Sequence, residues 1–220
     1  MKKRYFIILS YKGTAYHGWQ KQANAITIQE IVESALSTIL KTKISLTGAG
    51  RTDSGVHASF FVAHFEQERR DISTNIVYKL NRFLPNDIVV HRILNVTPHS
   101  HARFSAISRT YTYLICTEKN PFLKDLVFQY FGHLNVNAMN QTSKYILGEH
   151  DFTSFSKLHS NNKTDTCKVE MAEWQCHGRF IVFKITADRF LRNMVRSLVG
   201  TMLDVGKEKI RPIEFNDIFC

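Results

Sequence analysis

The first half of the chain alternates strand-like and helix-like segments in an order that few folds accommodate. Four runs have the composition of β-strands: residues 4–11, 43–48, 58–66 and 87–95. A helix begins at Thr27, which has capping-box spacing with Glu30, and apolar residues follow at helical spacing. A second helix is expected over residues 74–84, where Pro85 ends it. The order is therefore β-α-β-β-α-β, an α+β arrangement of antiparallel strands and packed helices.

The second half of the chain nearly repeats this order. Its strands are expected at residues 108–116, 167–177 and 180–187, and its helices at residues 121–131, 137–147 and 189–205. Gly148 is placed as the C-cap of the middle helix. We therefore predict an α+β chain of two ferredoxin-like, RRM-like β-α-β-β-α-β units with antiparallel sheets.

The closing strand of the second repeat has no counterpart in the sequence. After the last predicted helix the chain ends at Cys220, inside another helix start that follows Pro212. We expect the second unit to lack its last strand. The polar stretch 97–107 marks the boundary between the halves. The predicted subdomains are residues 1–103 and an incomplete second unit, residues 104–220.

The charge of the chain is strongly positive. Lys and Arg number 29 against 19 Asp and Glu, which gives a net charge of +10. This balance makes nucleic acid the first partner to consider, ahead of an acidic membrane surface. Charge alone fits a basic soluble protein equally well.

The apolar runs and the cysteines argue against a membrane and a metal. No apolar stretch approaches membrane-spanning length, and the four cysteines lack the spacing of a zinc site. Reduced thiols in a chain of this length are typical of the cytoplasm, which is the location we expect.

The densest cluster of candidate functional residues runs from Gly48 to His57. Its three glycines permit unusual backbone angles and the close approach of a ligand. It lacks the Lys-Ser/Thr ending of a phosphate-binding P-loop. It offers one carboxylate, Asp53, two residues after Arg51. Asp53 is either a catalytic group on a loop or a turn residue that bonds to its own backbone.

Other side chains give little support to a competing mechanism. The next acids after Asp53 are Glu66 and Glu68, whereas glycosidases need a second placed carboxylate and metal nucleases need a cluster. His57 and His64 are possible bases or structural histidines. A reaction here would have to use one nucleophilic carboxylate.

The second half contributes aromatic and basic candidates. Tyr111 and Tyr113 alternate on a predicted strand, where they either pack in the sheet or stack on a base and offer a phenol. Three arginines fall at roughly helical spacing on the late helix: Arg189, Arg192 and Arg196. Arg196 lies among apolar neighbours, where a guanidinium would need an anionic partner.

The segment Gly50–His57 resembles the signature turn of the bacterial tRNA pseudouridine synthase A family, commonly Gly-Arg-Thr-Asp-Ala-Gly-Val-His; Ser54 stands where the family usually has Ala. Four further segments agree in order: Tyr11–Thr14 with Gly18–Gln20, Leu80-Asn81 with Leu84-Pro85, His101–Ala106 leading to Tyr111, and Phe190–Arg196 followed by Gly200. The similarity covers nearly the whole chain. The family has a further C-terminal strand, which agrees with the empty position in the second repeat.

The resemblance implies a pseudouridine synthase fold and an isomerase that needs no cofactor and no metal. The family converts uridine to pseudouridine in the anticodon stem-loop of tRNA, at tRNA positions 38, 39 and 40, and acts as a homodimer. By similarity Asp53 is the nucleophile, attacking either the ribose C1′ or the uracil C6. Arg51 and Arg196 are the candidate cations beside it, since a nearby cation favours an ionised carboxylate.

The remaining assignments concern the substrate. By the same resemblance Tyr111 stacks on the uracil and can remove the C5 proton. The other substrate-binding residues are Arg51, Arg103 and Arg192. A rival interpretation is a non-catalytic RNA-binding protein, because Ser59–Phe65 is faintly similar to the aromatic strand of RNA-recognition modules. That rival predicts exposed aromatic side chains on the sheet and no need for Asp53.

Overall fold

The computed structural model of the chain describes residues 2–68, 72–157 and 164–219. It divides into two compact units, residues 1–106 and residues 107–220. The described residues form two sheets and five α-helices, which confirms the predicted α+β class. None of these helices has the length and apolar character needed to cross a membrane.

Unit 1 contains a four-stranded antiparallel sheet in the order β2-β3-β1-β4. Its strands are β1 (Lys2–Tyr11), β2 (Thr47–Gly48), β3 (Ala58–Glu68) and β4 (Ile88–Val96). Its helices are α1 (Ile28–Leu40), between β1 and β2, and α2 (Ile76–Phe83), between β3 and β4.

The start of α1 confirms the sequence-based prediction. Thr27 is the N-cap, and its hydroxyl accepts a hydrogen bond from the Glu30 N–H at 3.4 Å. The helix buries Ile28, Val32 and Leu36 against the sheet, as their spacing predicts.

The strand expected at residues 43–48 is much shorter than predicted. The N–H of Ile44 donates to the Ser37 hydroxyl at 2.9 Å, and that of Leu46 donates to Glu33 Oε1 at 2.8 Å. These backbone groups therefore bind side chains of α1, and sheet pairing is confined to β2.

The two faces of the unit 1 sheet differ in what covers them. On β1 the side chains of Tyr5, Ile7 and Leu9 are buried in the core shared with α1 and α2. Phe6 and Ile8 alternate with them and lie on the opposite, helix-free face.

The segment after β4 folds back onto the helix-free face. The Ala102 N–H donates to Nδ1 of His64 on β3 at 3.2 Å, and the Arg4 guanidinium donates to the Ser100 carbonyl at 3.0 Å. Arg4 also forms an ion pair with Glu66. The connection that leaves unit 1 is thus held to the sheet by side chains of β1 and β3.

Unit 2 contains a five-stranded sheet in the order β6-β5-β9-β8-β7. The strands are β5 (Arg109–Cys116), β6 (Phe128–Gln129), β7 (Gly148–Asp151), β8 (Thr166–His177) and β9 (Phe180–Ala187). The helices are α3 (Val136–Tyr145), α4 (Met194–Gly206) and α5 (Pro212–Phe219). Its core contains aromatic side chains, among them Phe152, Trp174, Phe183 and Phe215, together with a larger number of aliphatic ones.

The helix predicted at residues 121–131 is wrong. Residues Pro121–Leu123 form a single 3-10 turn, capped by the Asn120 side chain through the Phe122 N–H at 3.0 Å. The chain then pairs with β5 as the parallel strand β6. Gly148 is also not the C-cap of α3, which is Ile146; with φ at +100°, Gly148 is instead the first residue of β7.

Helix α4 begins later than predicted, at Met194 rather than near residue 189. The Asp188 carboxylate accepts hydrogen bonds from the Arg189 N–H at 2.7 Å and the Lys168 N–H at 2.8 Å, which fixes the chain beside β8. Asn193 then takes a left-handed conformation directly before the helix. The helical spacing assigned to Arg189 and Arg192 is therefore wrong, and of the three arginines only Arg196 lies on α4.

One edge of the second sheet is only partly paired. Beyond β5, strand β6 pairs with Ile115 and Cys116. Over Arg109–Leu114, the part of the chain that the structure describes places no strand on this edge. The expectation that the second repeat lacks a closing strand stays a prediction.

The burial of His64 predicts a pH dependence of stability. Burial, helped by His101 and Arg4 and opposed by Glu66, lowers the pKa of His64 from 6.5 to about 4. Between these two values the unfolded chain binds a proton that the folded chain does not, so acidification favours unfolding. We expect the free energy of unfolding to fall by at most about 3 kcal/mol between pH 7 and pH 4 through this residue.

Urea titrations across this pH range test the effect. In His64→Asn the amide oxygen replaces Nδ1 as acceptor for the Ala102 N–H and does not titrate. This variant should show a shallower fall in stability than the unchanged protein. Parallel curves for the two proteins would contradict the assignment.

Candidate active site

The turn that carries Asp53 connects β2 to β3 in unit 1. We call residues 50–57 the carboxylate turn. The Val56 N–H donates to the Asp53 carbonyl at 3.2 Å, and Gly55 has φ at +77°. Asp53 is half-buried, whereas Arg51 is exposed. The turn therefore presents a carboxylate and a guanidinium two residues apart.

A second segment, residues 12–20, braces this turn. The Trp19 N–H donates to the Thr52 carbonyl at 3.1 Å. On the other side of Asp53, the Tyr16 carbonyl accepts from the Gly55 N–H and from the Ser54 hydroxyl, both at 3.3 Å. The backbone is thus bound at the residue before the carboxylate and again two residues after it.

Two glycines allow the brace to approach this closely. A Cβ on Gly13 would lie 2.1 Å from the Val56 carbonyl oxygen, and a Cβ on Gly18 would lie 2.3 Å from that of Thr52. Gly18 also has φ at +86°, which disfavours any residue with a side chain. Only glycine fits at these positions without displacing the carboxylate turn.

The brace is held in turn by a partly buried hydrogen bond. The Tyr16 hydroxyl donates to Asp87 Oδ1 at 2.6 Å, and the Lys12 N–H donates to the Asp87 carbonyl at 2.8 Å. Burial and then Asp87 itself raise the pKa of Tyr16 above its ordinary range, so this phenol remains a donor. Residue 87 precedes β4, which links the brace to a third segment of unit 1.

Aromatic packing supports the brace from the core. The rings of Trp19 and Phe61 lie 4.2 Å apart between centroids, and Tyr11 contacts Phe61 edge-on at 5.7 Å. All three side chains are buried. The Tyr11 hydroxyl reaches the Thr52 hydroxyl at 2.9 Å, which joins the core to the turn.

The two histidines near the turn both accept backbone hydrogen bonds. His57 Nδ1 accepts from the Gly13 N–H at 2.9 Å, as His64 Nδ1 does from Ala102. These nitrogens are therefore occupied in holding the chain. Within the described ranges no three His, Cys, Asp or Glu side chains are grouped as a metal site requires.

The site residues predicted in unit 2 lie on β5, on α4 and in the segment that precedes α4. Tyr111 contacts Phe190 edge-on, with 5.0 Å between ring centroids. Burial raises the pKa of Tyr113, and the charge of the Arg196 guanidinium partly opposes this. Arg196 is exposed on α4, and Arg192 is exposed in the segment before it.

Arg103 is the remaining predicted substrate-binding residue. It is exposed in unit 1, in the turn that follows Ala102, and its guanidinium lies 5.8 Å from the ring centre of Phe104.

The segment Ser59–Phe65, on which the RNA-binding interpretation depends, exposes one of its three phenylalanines. Phe60 is 68% exposed, whereas Phe61 and Phe65 are buried.

Sequence reasoning from the residues alone did not identify the brace. Gly13, Tyr16 and Gly18 hold the carboxylate turn, yet they lie more than thirty residues before it. The signal that pointed toward them was the segment Tyr11–Thr14 with Gly18–Gln20, which contributed to the family resemblance.

A pair of glycine substitutions tests the brace. Gly13→Ala drives a methyl group into the Val56 carbonyl, and we expect a loss of about 1–3 kcal/mol in the free energy of unfolding. Gly50→Ala is the matched control, because a Cβ there has no described atom within 4 Å and should leave stability unchanged or slightly higher. Urea denaturation measures both. Equal free energies of unfolding for Gly13→Ala and Gly50→Ala would mean that the carboxylate turn can move relative to the brace at no cost.

Comparison with known proteins agrees with this architecture. The family model described as tRNA pseudouridine synthase matches residues 7–105 and 143–219. A tRNA pseudouridine synthase A of Bacteroides fragilis is 48% identical over 218 residues, covering 98% of this chain and 86% of that protein. The protein of the same name from Azobacteroides pseudotrichonymphae is 47% identical over 215 residues, which cover 98% of this chain and 86% of that protein.

A more distant relative gives the same result. The tRNA pseudouridine synthase A of Clostridium acetobutylicum is 39% identical over 214 residues, covering 96% of this chain and 88% of that protein. The resemblance inferred from the sequence motifs is confirmed, and the chain belongs to the tRNA pseudouridine synthase family of enzymes.

Proposed function

We propose that this protein isomerises uridine to pseudouridine in the anticodon stem-loop of tRNA, with Asp53 as the nucleophile. The observation that carries the proposal is the placement of Asp53: a half-buried carboxylate on a turn bound on both sides by the brace. A fixed nucleophile reduces the entropy lost in reaching the transition state. The family match supplies the reaction class.

The reaction conserves atoms and needs no external reagent. The bond between the ribose C1′ and the uracil N1 breaks, the uracil rotates, and a bond forms between C1′ and C5. C5 then loses its proton and N1 gains one. In this scheme Asp53 attacks either C1′ or C6, and in both cases the carboxylate must be ionised. The bond from Asp53 to C1′ breaks when C5 bonds to C1′, whereas a bond to C6 breaks when C5 loses its proton and the C5–C6 double bond is restored.

We assign supporting roles to side chains of both units. Arg51 and Arg196 are the cations that favour the ionised carboxylate and bind substrate charge. Tyr111 stacks on the uracil and its phenol takes part in removing the C5 proton. Arg51, Arg103 and Arg192 bind the RNA, and the two units are ferredoxin-like subdomains of one pseudouridine synthase fold.

The charge of the protein fits an RNA substrate. An excess of ten positive charges favours binding to phosphates, with release of counterions. That binding offsets the cost of taking the target uridine out of its stack, roughly a few kcal/mol. We further propose a homodimer that works in the cytoplasm on newly made tRNA.

The nucleophile is tested with Asp53→Asn, which keeps the shape of the side chain and removes its charge. We expect tritium release from C5-labelled uridine in tRNA to fall below detection, while tRNA still binds. Glu68→Gln is the control: it removes another carboxylate of unit 1, one that pairs with Lys2 on the surface, and should retain full activity. Near-normal release by Asp53→Asn would refute the mechanism and favour the RNA-binding rival.

The phenol of Tyr111 is tested by Tyr111→Phe, which keeps the ring and its contact with Phe190. We expect turnover to fall about 100-fold or more while the affinity for tRNA is retained, because general acid–base groups contribute at least this much. Tyr130→Phe provides the comparison, since Tyr130 has no assigned role and its ring centroid lies 5.2 Å from Nζ of Lys207. Equal turnover in the two variants would reduce Tyr111 to a packing residue.

A further inference from the structure

A tight turn in unit 1 displays an aromatic ring to solvent. We call residues 101–105 the stacking turn. The side chain of Phe104 is 78% exposed, so its ring contributes little to the buried core. The function of this exposed ring is not explained by the folding of unit 1.

The turn is rigidly built. The Ser105 N–H donates to the His101 carbonyl at 2.9 Å, and the His101 N–H donates to the Ser105 hydroxyl at 3.0 Å. His101 Nδ1 accepts from the N–H groups of Arg103 and Phe104 at 3.1 and 3.2 Å. Ala102 is buried beneath and bonded to His64. The backbone that carries Phe104 is therefore fixed before any ligand arrives.

The side chains around Phe104 form a series of rings that ends in a cation. The His64 and His101 rings lie 4.5 Å apart between centroids, and His101 and Phe104 lie 4.3 Å apart at an angle of 31°. The Arg103 guanidinium carbon lies 5.8 Å from the centroid of the same Phe104 ring. Together they offer an aromatic face beside a donor group that pairs with phosphate.

We propose that the stacking turn is a binding site for one unpaired base of the tRNA, with Phe104 stacked on the base and Arg103 bound to its phosphate. The proposal rests on the proposed function, which supplies an RNA substrate. Aromatic side chains stack on bases regardless of sequence, provided that the base presents a free face. A base in a loop, or one that has left its stack, meets that condition, whereas a base inside a stem does not.

The chemistry of the turn favours RNA over an apolar protein segment. An apolar segment offers the Arg103 guanidinium no anion, and an aliphatic side chain offers the Phe104 ring no π-face. A nucleotide supplies the π-face and the anion together. The net charge of +10 favours the same partner.

The test compares three single substitutions by their affinity for an unmodified tRNA transcript at fixed salt. Phe104→Leu keeps an apolar side chain and loses the ring, and should weaken binding about 10-fold. Phe104→Trp keeps a stacking face and should bind within about twofold of the unchanged protein. Phe83→Leu is the matched control, because Phe83 is 55% exposed on α2, in the helix layer of the same unit.

Fluorescence of Phe104→Trp gives a second readout. The existing tryptophans, Trp19 and Trp174, are buried, so the new indole is the one that RNA can reach. Its emission should be quenched on addition of tRNA, beyond any change in the unchanged protein. Arg103→Ala should lower affinity and reduce the slope of log affinity against log salt by about one.

Several results would overturn the proposal. If Phe104→Leu and Phe83→Leu bind tRNA equally well, and the unchanged protein releases tritium normally, the stacking turn is excluded while the proposed function stands. A change in oligomeric state caused by Phe104→Leu without RNA would assign the ring to a protein contact instead. Absence of tritium release from the unchanged protein would reject the proposed function itself.

Discussion

The close approach of two backbone segments is the constraint on which the candidate site depends. Residues 12–20 contact the carboxylate turn so tightly that Gly13 and Gly18 leave no space for a side chain. Because the segments are so close, Trp19 can donate to the Thr52 carbonyl and Gly55 can donate to the Tyr16 carbonyl, on either side of Asp53. A carboxylate on an isolated turn would sample many positions, whereas the braced one has lost that freedom on folding.

The brace also makes the site a property of the whole of unit 1 rather than of one loop. Three segments distant in sequence meet there: residues 12–20, the carboxylate turn, and Asp87 before β4. Their contacts lie where strands end, while the aromatic core of Trp19 and Phe61 lies behind them. The sheet therefore supplies a fixed base, and the loops at its end supply the functional groups.

Sequence periodicity predicted the elements that many apolar contacts stabilise, such as α1 after its Thr27 cap and the hairpin of β8 and β9. It was wrong where a few polar contacts decide the conformation, as at Asp188, whose carboxylate fixes the residues that were expected to start α4. The site shows the same division. Asp53 was found because it is the one carboxylate in a segment rich in glycine. Tyr16, in contrast, acts through its carbonyl oxygen, which every residue has, and no sequence pattern reveals such a contact.

That reliance on carbonyl oxygens has a consequence for how the turn can change over evolutionary time. The brace contacts main-chain atoms of residues 52, 55 and 56, and the Gly13 N–H also donates to the side chain of His57. The Ser54 side chain adds one hydrogen bond, from its hydroxyl to the Tyr16 carbonyl, without altering the main-chain pairing. The main-chain contacts at residues 52 and 56 therefore do not depend on the side chains that those residues carry, whereas they do depend on two glycines far upstream, Gly13 and Gly18.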